Sequence, residues 1–252
     1  MGRPQIEIAR DPQDLAERMT RSFLGTAQDA IASGGMFRTA LSGGRTPMRF
    51  LERLANTPQT QDLPWDRVHL FWVDDRYVPP DAEASNYRLV AETLLSRINI
   101  PATNVHRIPT EPEDRDDAAR AYEQTMRRVF GLEEGEIPRF DLIVLGMGND
   151  GHTASLFPGS SAIRCVDRLA CVVRADEYVK LDRITLTKPV LLAARRLVVL
   201  VSGGEKTRTL EAALTGEVDE MRYPVQTLWP VLERVTWLVD REAAGRIALT
   251  RG

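Results

Sequence analysis

The chain contains 252 residues, of which 43% are hydrophobic and 27% are charged, and its formal net charge is −3. This length is sufficient for one large α/β domain or two small ones. The slightly acidic balance excludes a broad basic surface for nucleic acid, so basic residues that bind an anion must be placed locally. No apolar run approaches the ~20 residues of a membrane span, and the N-terminal residues lack the hydrophobic core of a signal peptide. We therefore expect a cytoplasmic protein with neither a membrane partner nor a nucleic-acid partner.

The cysteines and histidines are few, which argues against a metal site. Cys165 and Cys171 match neither a metal-binding spacing nor a CxxC motif. A disulfide between them is compatible with the sequence, but reduced thiols are the expectation for a cytosolic protein. With only His69, His106 and His152, a histidine-rich metal site is not expected.

Strand-like and helix-like segments alternate along the chain. Leu15, Met19 and Phe23 recur at helical spacing in the first long segment. In chain order, the pattern predicts strands at residues 6–9, 37–41, 68–73, 142–145, 169–173, 197–201 and 235–239. It predicts helices at residues 12–32, from 46 onwards, at 86–98, 114–130 and 186–194, after 202–206 as far as about 214, and from 242.

This alternation predicts a mostly parallel sheet that is covered by helices on both faces, an α/β fold. Neither a repeat nor a long linker interrupts the chain, so we expect one domain spanning residues 1–252. In such a sheet, ligands bind beyond the carboxyl ends of the strands. The loops at Ser42, Asp74, Gly146 and Ser202 should therefore meet at one edge.

Two of these loops have features of anion sites. Residues 42–47 read Ser-Gly-Gly-Arg-Thr-Pro, a strand-to-helix turn with Thr46 as the expected N-cap and Pro47 as the first helical residue. Free amides and the positive end of the helix dipole favour phosphate there, although the lysine of a Walker loop is missing. Residues 202–206 repeat this design and add Lys206. The alternatives are a well-capped structural turn and a solvent-exposed lysine.

A third loop carries Asp74, Asp75 and Arg76 directly after a strand. Adjacent like charges cost free energy unless a partner or substrate hydroxyl groups engage them. An aspartate is suited to a sugar hydroxyl and an arginine to a phosphate, whereas a local salt bridge is the alternative. Arg183, which precedes the 186–194 segment, has no such context and by itself is expected to be solvated.

The fourth loop, within residues 140–160, is the most informative. A buried strand ends at glycines, and Asp150 and His152 lie at the rim of the glycine turn. Histidine has an unperturbed pKa of roughly 6.5, so it can accept a proton near neutral pH. The arrangement predicts a general base, with a purely structural turn as the alternative.

The same turn matches the GxGxxG dinucleotide fingerprint at Gly146, Gly148 and Gly151. That fingerprint requires a helix after the turn and an acidic residue about 20 positions further on, at the end of a second strand. Pro158 would end the helix after about one turn, and the next predicted strand has no acidic residue at its end until Asp176. The sequence therefore argues against nucleotide binding.

Taken in order, these segments resemble the 6-phosphogluconolactonase family, and the similarity extends from about the first strand to the end of the chain. Each motif alone is moderately specific, whereas the ordered set is highly specific. The residues that carry the resemblance are 42–47 (SGGRTP), 72–79 (WVDDRYVP), 85–87 (SNY), 141–159, 183–187 (RITLT), 203–206 (GGEK), 224–240 and 243–244.

The resemblance implies a Rossmann-like three-layer α/β/α fold, similar to that of glucosamine-6-phosphate deaminases and ribose-5-phosphate isomerases. It implies hydrolysis of 6-phospho-D-glucono-1,5-lactone to 6-phosphogluconate in the oxidative pentose phosphate pathway, with no organic cofactor. It makes His152 the catalytic base, with Asp150 beside it. The residues that would hold the substrate and its phosphate are Ser42, Gly43, Gly44, Thr46, Asp74, Arg76, Arg183 and Lys206. A monomer or a small homo-oligomer is expected.

The chain departs from the family pattern at three places. Asp75 stands where the family usually has glutamate, and Lys188 stands where an apolar residue is common. Residues 192–193 replace a frequent asparagine. The first change alters a contact behind Arg76 without removing the arginine, and the last removes a minor polar contact.

The rival within the same fold is the branch of sugar-phosphate deaminases and isomerases. In that branch a glutamate joins the proton relay at the position where this chain has Phe157. A phenyl ring cannot relay a proton, which disfavours ring opening and amine transfer. The other alternative is a non-catalytic sugar-phosphate binding protein, against which Asp150, His152 and Arg183 argue.

Overall fold

The computed structural model describes residues 4–33, 35–176, 179–245 and 247. Its strands are β1 (Gln5–Ala9), β2 (Phe37–Leu41), β3 (Val68–Trp72), β4 (Asp74–Arg76), β5 (Val105–His106), β6 (Leu142–Gly146), β7 (Ala170–Val173), β8 (Arg183–Leu186), β9 (Leu197–Val201) and β10 (Val235–Asp240). Its helices are α1 (Pro12–Ala32), α2 (Arg45–Ala55), α3 (Pro58–Gln61), α4 (Asn86–Thr93), α5 (Arg115–Phe130), α6 (Lys188–Ala193), α7 (Thr207–Thr215) and α8 (Arg241–Ala244).

Seven of the strands form a parallel sheet in the order β1-β10-β9-β6-β2-β3-β5. All five residues of β9 are buried, as are the first four of β6. Because successive side chains of a strand point to opposite faces, complete burial requires cover on both faces of the sheet. The predicted mostly parallel sheet between two helical layers is therefore confirmed.

Two long helices have the boundaries that the sequence predicts. α1 begins after Asp11, whose side chain accepts hydrogen bonds from the amides of Gln13 and Asp14, and Pro12 occupies its first position. α5 ends at Gly131, which adopts a left-handed conformation with φ of 65°. Local capping signals are sufficient to place both helices.

The start of α2 and the end of α4 differ from the predicted positions. Gly44 is the N-cap in place of Thr46, because its φ of 102° is a conformation that glycine adopts without strain, and the helix begins at Arg45. α4 ends at Thr93, and the chain then tightens into a 3₁₀ turn where the sequence predicts helix as far as Ile98. The earlier start of α2 brings its first-turn amides to the carboxyl edge of the sheet.

The glycine turn after β6 leads into a compact loop rather than the predicted single helical turn. Ala154 has φ of 53°, which is outside the helical region, and Thr153 and Leu156 form an isolated β-bridge. The Thr153 hydroxyl donates a hydrogen bond to the carbonyl of Gly146 at 2.9 Å. This bond ties the loop back to the end of β6.

The sequence does not predict the second sheet, in which β4, β8 and β7 pair antiparallel. Its strands have only three or four residues, which is too short for a hydrophobic period to be recognised. The predicted strand at residues 169–173 belongs to this sheet. Arg183 begins β8 and pairs with Arg76, so it lies in a strand at the same edge as the other predicted residues.

Val73, the single residue between β3 and β4, connects the two sheets. Its amide donates to the carbonyl of Leu41 at 3.0 Å, and its carbonyl accepts from the amide of Leu186 at 2.8 Å. Tyr122 fixes the preceding residue, because its hydroxyl accepts from the amide of Trp72 at 2.9 Å and donates to the carbonyl of Trp72 at 2.7 Å. The small sheet is thereby held at the carboxyl edge of the large one.

Two further expectations concern the whole molecule. Cys165 and Cys171 are free thiols in the structure, and their reduced state remains a prediction. Within the described ranges, no helix has both the length and the apolar character needed to cross a membrane.

Candidate functional site

The carboxyl ends of β2, β3, β6 and β9 surround a cleft of about 330 Å³, and their four loops meet there as predicted. The predicted site residues that line this cleft are Ser42, Gly43, Gly44, Thr46, Asp74, Arg76, His152, Arg183 and Lys206. The remaining predicted residue, Asp150, contacts the side chain of His152. The fold therefore brings together all the residues that the sequence singles out.

His152 and Asp150 form a hydrogen-bonded pair at the rim of the cleft. Nδ1 of His152 lies 2.6 Å from Oδ1 of Asp150, which also accepts a hydrogen bond from the backbone amide of His152 at 3.1 Å. Because a carboxylate only accepts, we assign the ring proton to Nδ1, which leaves Nε2 as an acceptor. The side chain of His152 is 32% exposed, so water can reach it. This is the orientation that a general base requires.

Gly148 is needed because the imidazole lies directly against it. A Cβ at this position would overlap Nδ1 of His152 and lie 2.5 Å from Oδ1 of Asp150. The amide of Gly148 donates to the carbonyl of His152 at 2.9 Å, and Gly151 adopts φ of 84° within the same turn. The glycines that match the dinucleotide fingerprint therefore serve to place the imidazole.

The start of α2 forms a second wall of the cleft. The amides of Arg45 and Thr46 fall in the first turn, where a helix offers donors without intrahelical partners. Ser42 lines the cleft, and its buried hydroxyl has no hydrogen-bond partner within the ranges that the structure describes. An oxygen-rich anion would satisfy these donors.

Arg76 is held in place by a network that the sequence only partly indicates. Its Nη1 donates to Oδ1 of Asn86 at 2.7 Å and to the carbonyl of Ala84 at 3.0 Å. Nδ2 of Asn86 donates in turn to the carbonyl of Asp74 at 2.9 Å. The carboxylate of Asp75 accepts from the amides of Asn86 and Arg76 at 2.6 and 2.8 Å. The shorter acid of this chain thus supports the start of α4 and the arginine together.

Asp75 also makes the stability of the protein depend on pH. Burial raises its pKa to about 6, although hydrogen bonds from the amides of Asn86 and Tyr87 oppose the shift. The folded protein therefore binds this proton more tightly than the unfolded chain, and the resulting stabilisation is lost as the pH rises from about 4 through 6. We expect the free energy of unfolding of the wild type, relative to that of Asp75→Asn, to fall by about 3 kcal/mol in total as the pH rises from well below 4 to well above 6.

Urea denaturation of both proteins across this pH range measures the difference. Asp62→Asn, which changes an exposed aspartate, is the control for loss of a negative charge. A difference between wild type and Asp75→Asn that does not vary with pH would contradict the prediction.

Asp74 and Arg183 lie side by side on β4 and β8. Oδ2 of Asp74 accepts a hydrogen bond from the Ser155 hydroxyl at 2.6 Å and lies 3.9 Å from Nη1 of Arg183. Burial lowers the pKa of Arg183, and the charge of Asp74 opposes that shift. The side chain of Arg183 is only 18% exposed, so the expectation of a solvated arginine is wrong. Its guanidinium lies over the ring of Phe157, at 5.1 Å from the ring centroid.

Lys206 approaches the cleft from the turn after β9. Burial lowers the pKa of its ammonium group, and the neighbouring carboxylate of Glu205 opposes that shift. The turn is fixed by Asp240, which accepts hydrogen bonds from the hydroxyl of Ser202 at 2.5 Å and from the amide of Gly203 at 3.2 Å. A half-buried ammonium on a fixed turn favours an anionic ligand, as the sequence predicts.

Known proteins are similar to this chain along almost its whole length. The family model described as Glucosamine-6-phosphate isomerases/6-phosphogluconolactonase matches residues 10–237. The chain is 39% identical over 240 residues to a curated 6-phosphogluconolactonase of Synechocystis sp., with 95% of this chain and 97% of that protein covered. It is also similar to a solved 6-phosphogluconolactonase from Trypanosoma brucei, with a TM-score of 0.85, 28% identity, and 98% and 100% of the two chains covered.

A further similarity concerns the fold alone. A solved monomeric glucosamine-6-phosphate deaminase has a TM-score of 0.81 at 22% identity, with 95% of this chain and 98% of that chain covered. The predicted similarity to the deaminase fold is therefore confirmed. Because the family model and the Synechocystis protein both match nearly the full sequence, the chain belongs to the family of glucosamine-6-phosphate isomerases and 6-phosphogluconolactonases.

Proposed function

We propose that this chain hydrolyses 6-phospho-D-glucono-1,5-lactone to 6-phospho-D-gluconate in the oxidative pentose phosphate pathway, with His152 as the general base. The observation that carries the proposal is the pairing of His152 with Asp150 at a cleft that Arg76, Arg183 and Lys206 also line. The relatives from Synechocystis and Trypanosoma brucei carry the name of this activity. A phosphorylated sugar lactone fits a cleft that combines a base with several cationic groups.

The reaction needs one proton acceptor and no covalent intermediate. The hydrogen bond to Asp150 leaves Nε2 of His152 to take a proton from water as the water oxygen attacks C1 of the lactone. The carbonyl oxygen becomes an oxyanion in the tetrahedral intermediate. When the carbonyl re-forms, the bond between C1 and the ring oxygen breaks, and the ring oxygen takes the proton from the imidazolium. Asp150 stabilises that imidazolium while it exists.

The two ends of the substrate are assigned to different walls of the cleft. The phosphate lies against the start of α2, where Ser42 and Lys206 supply donors for charge-assisted hydrogen bonds. The oxyanion lies on the side of Arg183, whose buried Nε has no partner in the described part of the chain. Arg183 contacts Phe157, and the rings of Phe157 and His152 are 4.5 Å apart between centroids. This shared wall supports placing the oxyanion donor beside the base.

Phe157 favours the lactonase over the isomerases and deaminases of the same family. The ring is 6% exposed and packs against His152. It carries no titratable group, so the relay glutamate expected for ring opening has no equivalent at this position. Ester hydrolysis needs no such relay and is unaffected.

The direct test is to follow hydrolysis of freshly generated 6-phosphogluconolactone by the purified protein, with unphosphorylated gluconolactone as the comparison. Both rates are corrected for spontaneous ring opening. We expect rapid turnover of the phosphorylated lactone alone, because only it carries the anionic group. Failure to accelerate either reaction would overturn the proposal and direct the assays to aldose–ketose isomerisation and amino-sugar phosphates.

Lys206→Ala is expected to raise the KM for the phosphorylated lactone about 10- to 100-fold and to leave kcat within a few-fold. The reason is that a hydrogen bond to a charged group contributes about 1.5–3 kcal/mol, and the phosphate is bound equally in ground state and transition state. Steady-state kinetics measure both constants. Lys180→Ala, at an exposed lysine that does not line the cleft, is the control. An unchanged KM would remove Lys206 from the phosphate site.

Three expectations from the sequence accompany this proposal and remain predictions. They are a cytoplasmic location, a monomer or small homo-oligomer, and a single domain over residues 1–252. Size-exclusion chromatography with light scattering measures the oligomeric state.

A further inference from the structure

Glu205 lies at the end of the cleft that we assign to the phosphate, although its charge has the same sign as the ligand. It lines the cleft together with Ser42, Arg45 and Lys206. Its side chain folds back over Gly203, where Oε1 lies 2.8 Å from the point that a Cβ would occupy. Gly203 adopts φ of 102° and has no side chain, so it leaves the space that the carboxylate takes.

The carboxylate of Glu205 lies close to a guanidinium that could otherwise receive an anion. Nη2 of Arg45 lies 3.8 Å from its Oε1, and the ammonium of Lys206 belongs to the next residue. The side chains of Arg45 and Glu205 are 89% and 46% exposed, so their ion pair is weak and can be broken at little cost in free energy. A carboxylate held this loosely is displaced readily by a stronger anion.

We infer that the Glu205 carboxylate is an internal anion that occupies the phosphate end of the cleft whenever no ligand is bound, and that substrate and product bind there only by displacing it. The inference rests on the proposed function, since it requires a phosphorylated ligand at this end. Its consequence concerns product release. Hydrolysis leaves the phosphate unchanged, so every group that anchors the substrate also retains the product. When the Glu205 carboxylate returns to this position, it competes with the phosphate of the product. The residence time of the bound product is thereby shortened.

Glu205→Gln removes the charge and preserves the shape of the side chain. Because a like charge near the phosphate is lost, we expect inorganic phosphate and 6-phosphogluconate to bind about three- to tenfold more tightly. The KM should fall by a similar factor, and 6-phosphogluconate should dissociate more slowly. Isothermal titration with each ligand at constant ionic strength gives the dissociation constants, and stopped-flow displacement gives the rate at which the product dissociates.

The matched control is Glu134→Gln, which removes the same charge from an exposed residue in the loop before β6, at the opposite edge of the sheet. It should leave both dissociation constants unchanged. If Glu205→Gln binds phosphate as weakly as the wild type, or more weakly, the carboxylate orients Arg45 and Lys206 instead and the inference is overturned. If the wild type neither binds these ligands nor hydrolyses the lactone, the proposed function itself fails. The two failures are therefore distinguishable.

Discussion

His152→Ala is expected to lower kcat for the phosphorylated lactone by ~10²–10⁴-fold while binding of the product changes little. The imidazole supplies the proton acceptor, which Asp150 orients through a hydrogen bond of 2.6 Å. A general base contributes a factor of this size, or about 3–5 kcal/mol of transition-state stabilisation. The groups assigned to the phosphate lie on other elements and are left intact. Steady-state kinetics and calorimetric titration with 6-phosphogluconate measure the two effects.

His152→Gln is the companion variant, because glutamine keeps hydrogen-bonding groups and some of the volume but cannot act as a base at neutral pH. Both variants should lose activity to a similar degree, and partial recovery with added imidazole would support the role further. Near-normal kcat in either variant would remove His152 from the base role while leaving the lactonase activity itself established.

Gly148→Ala is expected to lower kcat by ~10²-fold or more although it removes no catalytic atom. The added methyl group would overlap Nδ1 of His152 and lie 2.5 Å from Oδ1 of Asp150. The backbone bond from the Gly148 amide to the His152 carbonyl holds the turn, so the two side chains must move. A displacement of about 1 Å in a positioned catalytic group is sufficient for a loss of this size. The KM should change far less than kcat.

Gly25→Ala is the matched control, since it makes the same substitution in α1 where nothing lies within 4 Å of the new Cβ. It should retain full activity. Thermal unfolding of Gly148→Ala shows whether the protein is still folded. A folded Gly148→Ala variant with normal kcat would mean that the imidazole does not need its observed position.

The sequence predicts an element of the fold correctly where its capping residues are adjacent to it or where its apolar run is long. β6 and β9 are continuous apolar strands, and the helix α1 carries its own capping residues. The small sheet was not predictable, because β4 consists of Asp74, Asp75 and Arg76 and resembles a polar loop. What makes it a strand is its pairing with β8, which lies more than a hundred residues further along the chain.

The residues of the site also fall into two groups, those whose partners are close in the sequence and those whose partners are distant. His152 and Asp150 are two positions apart, so the sequence shows them together. Ser155 was missed because its partner, Asp74, is 81 positions away, and no pattern links the two. Asn86 reads as part of a helix start, and only the folded chain shows that its side chain also holds Arg76. Contacts across such distances depend on the tertiary structure, which periodicity does not encode.

The connection between the two sheets at Val73 determines how a ligand enters the site. The large sheet carries the loop of His152, and the small sheet carries Arg76 and Arg183. Both backbone groups of Val73 are already used, one toward each sheet, so the two walls cannot swing apart without breaking buried hydrogen bonds. The cleft is therefore preformed, and little of the binding free energy is used to order it. Capture of the substrate should be governed by diffusion and by small side-chain displacements.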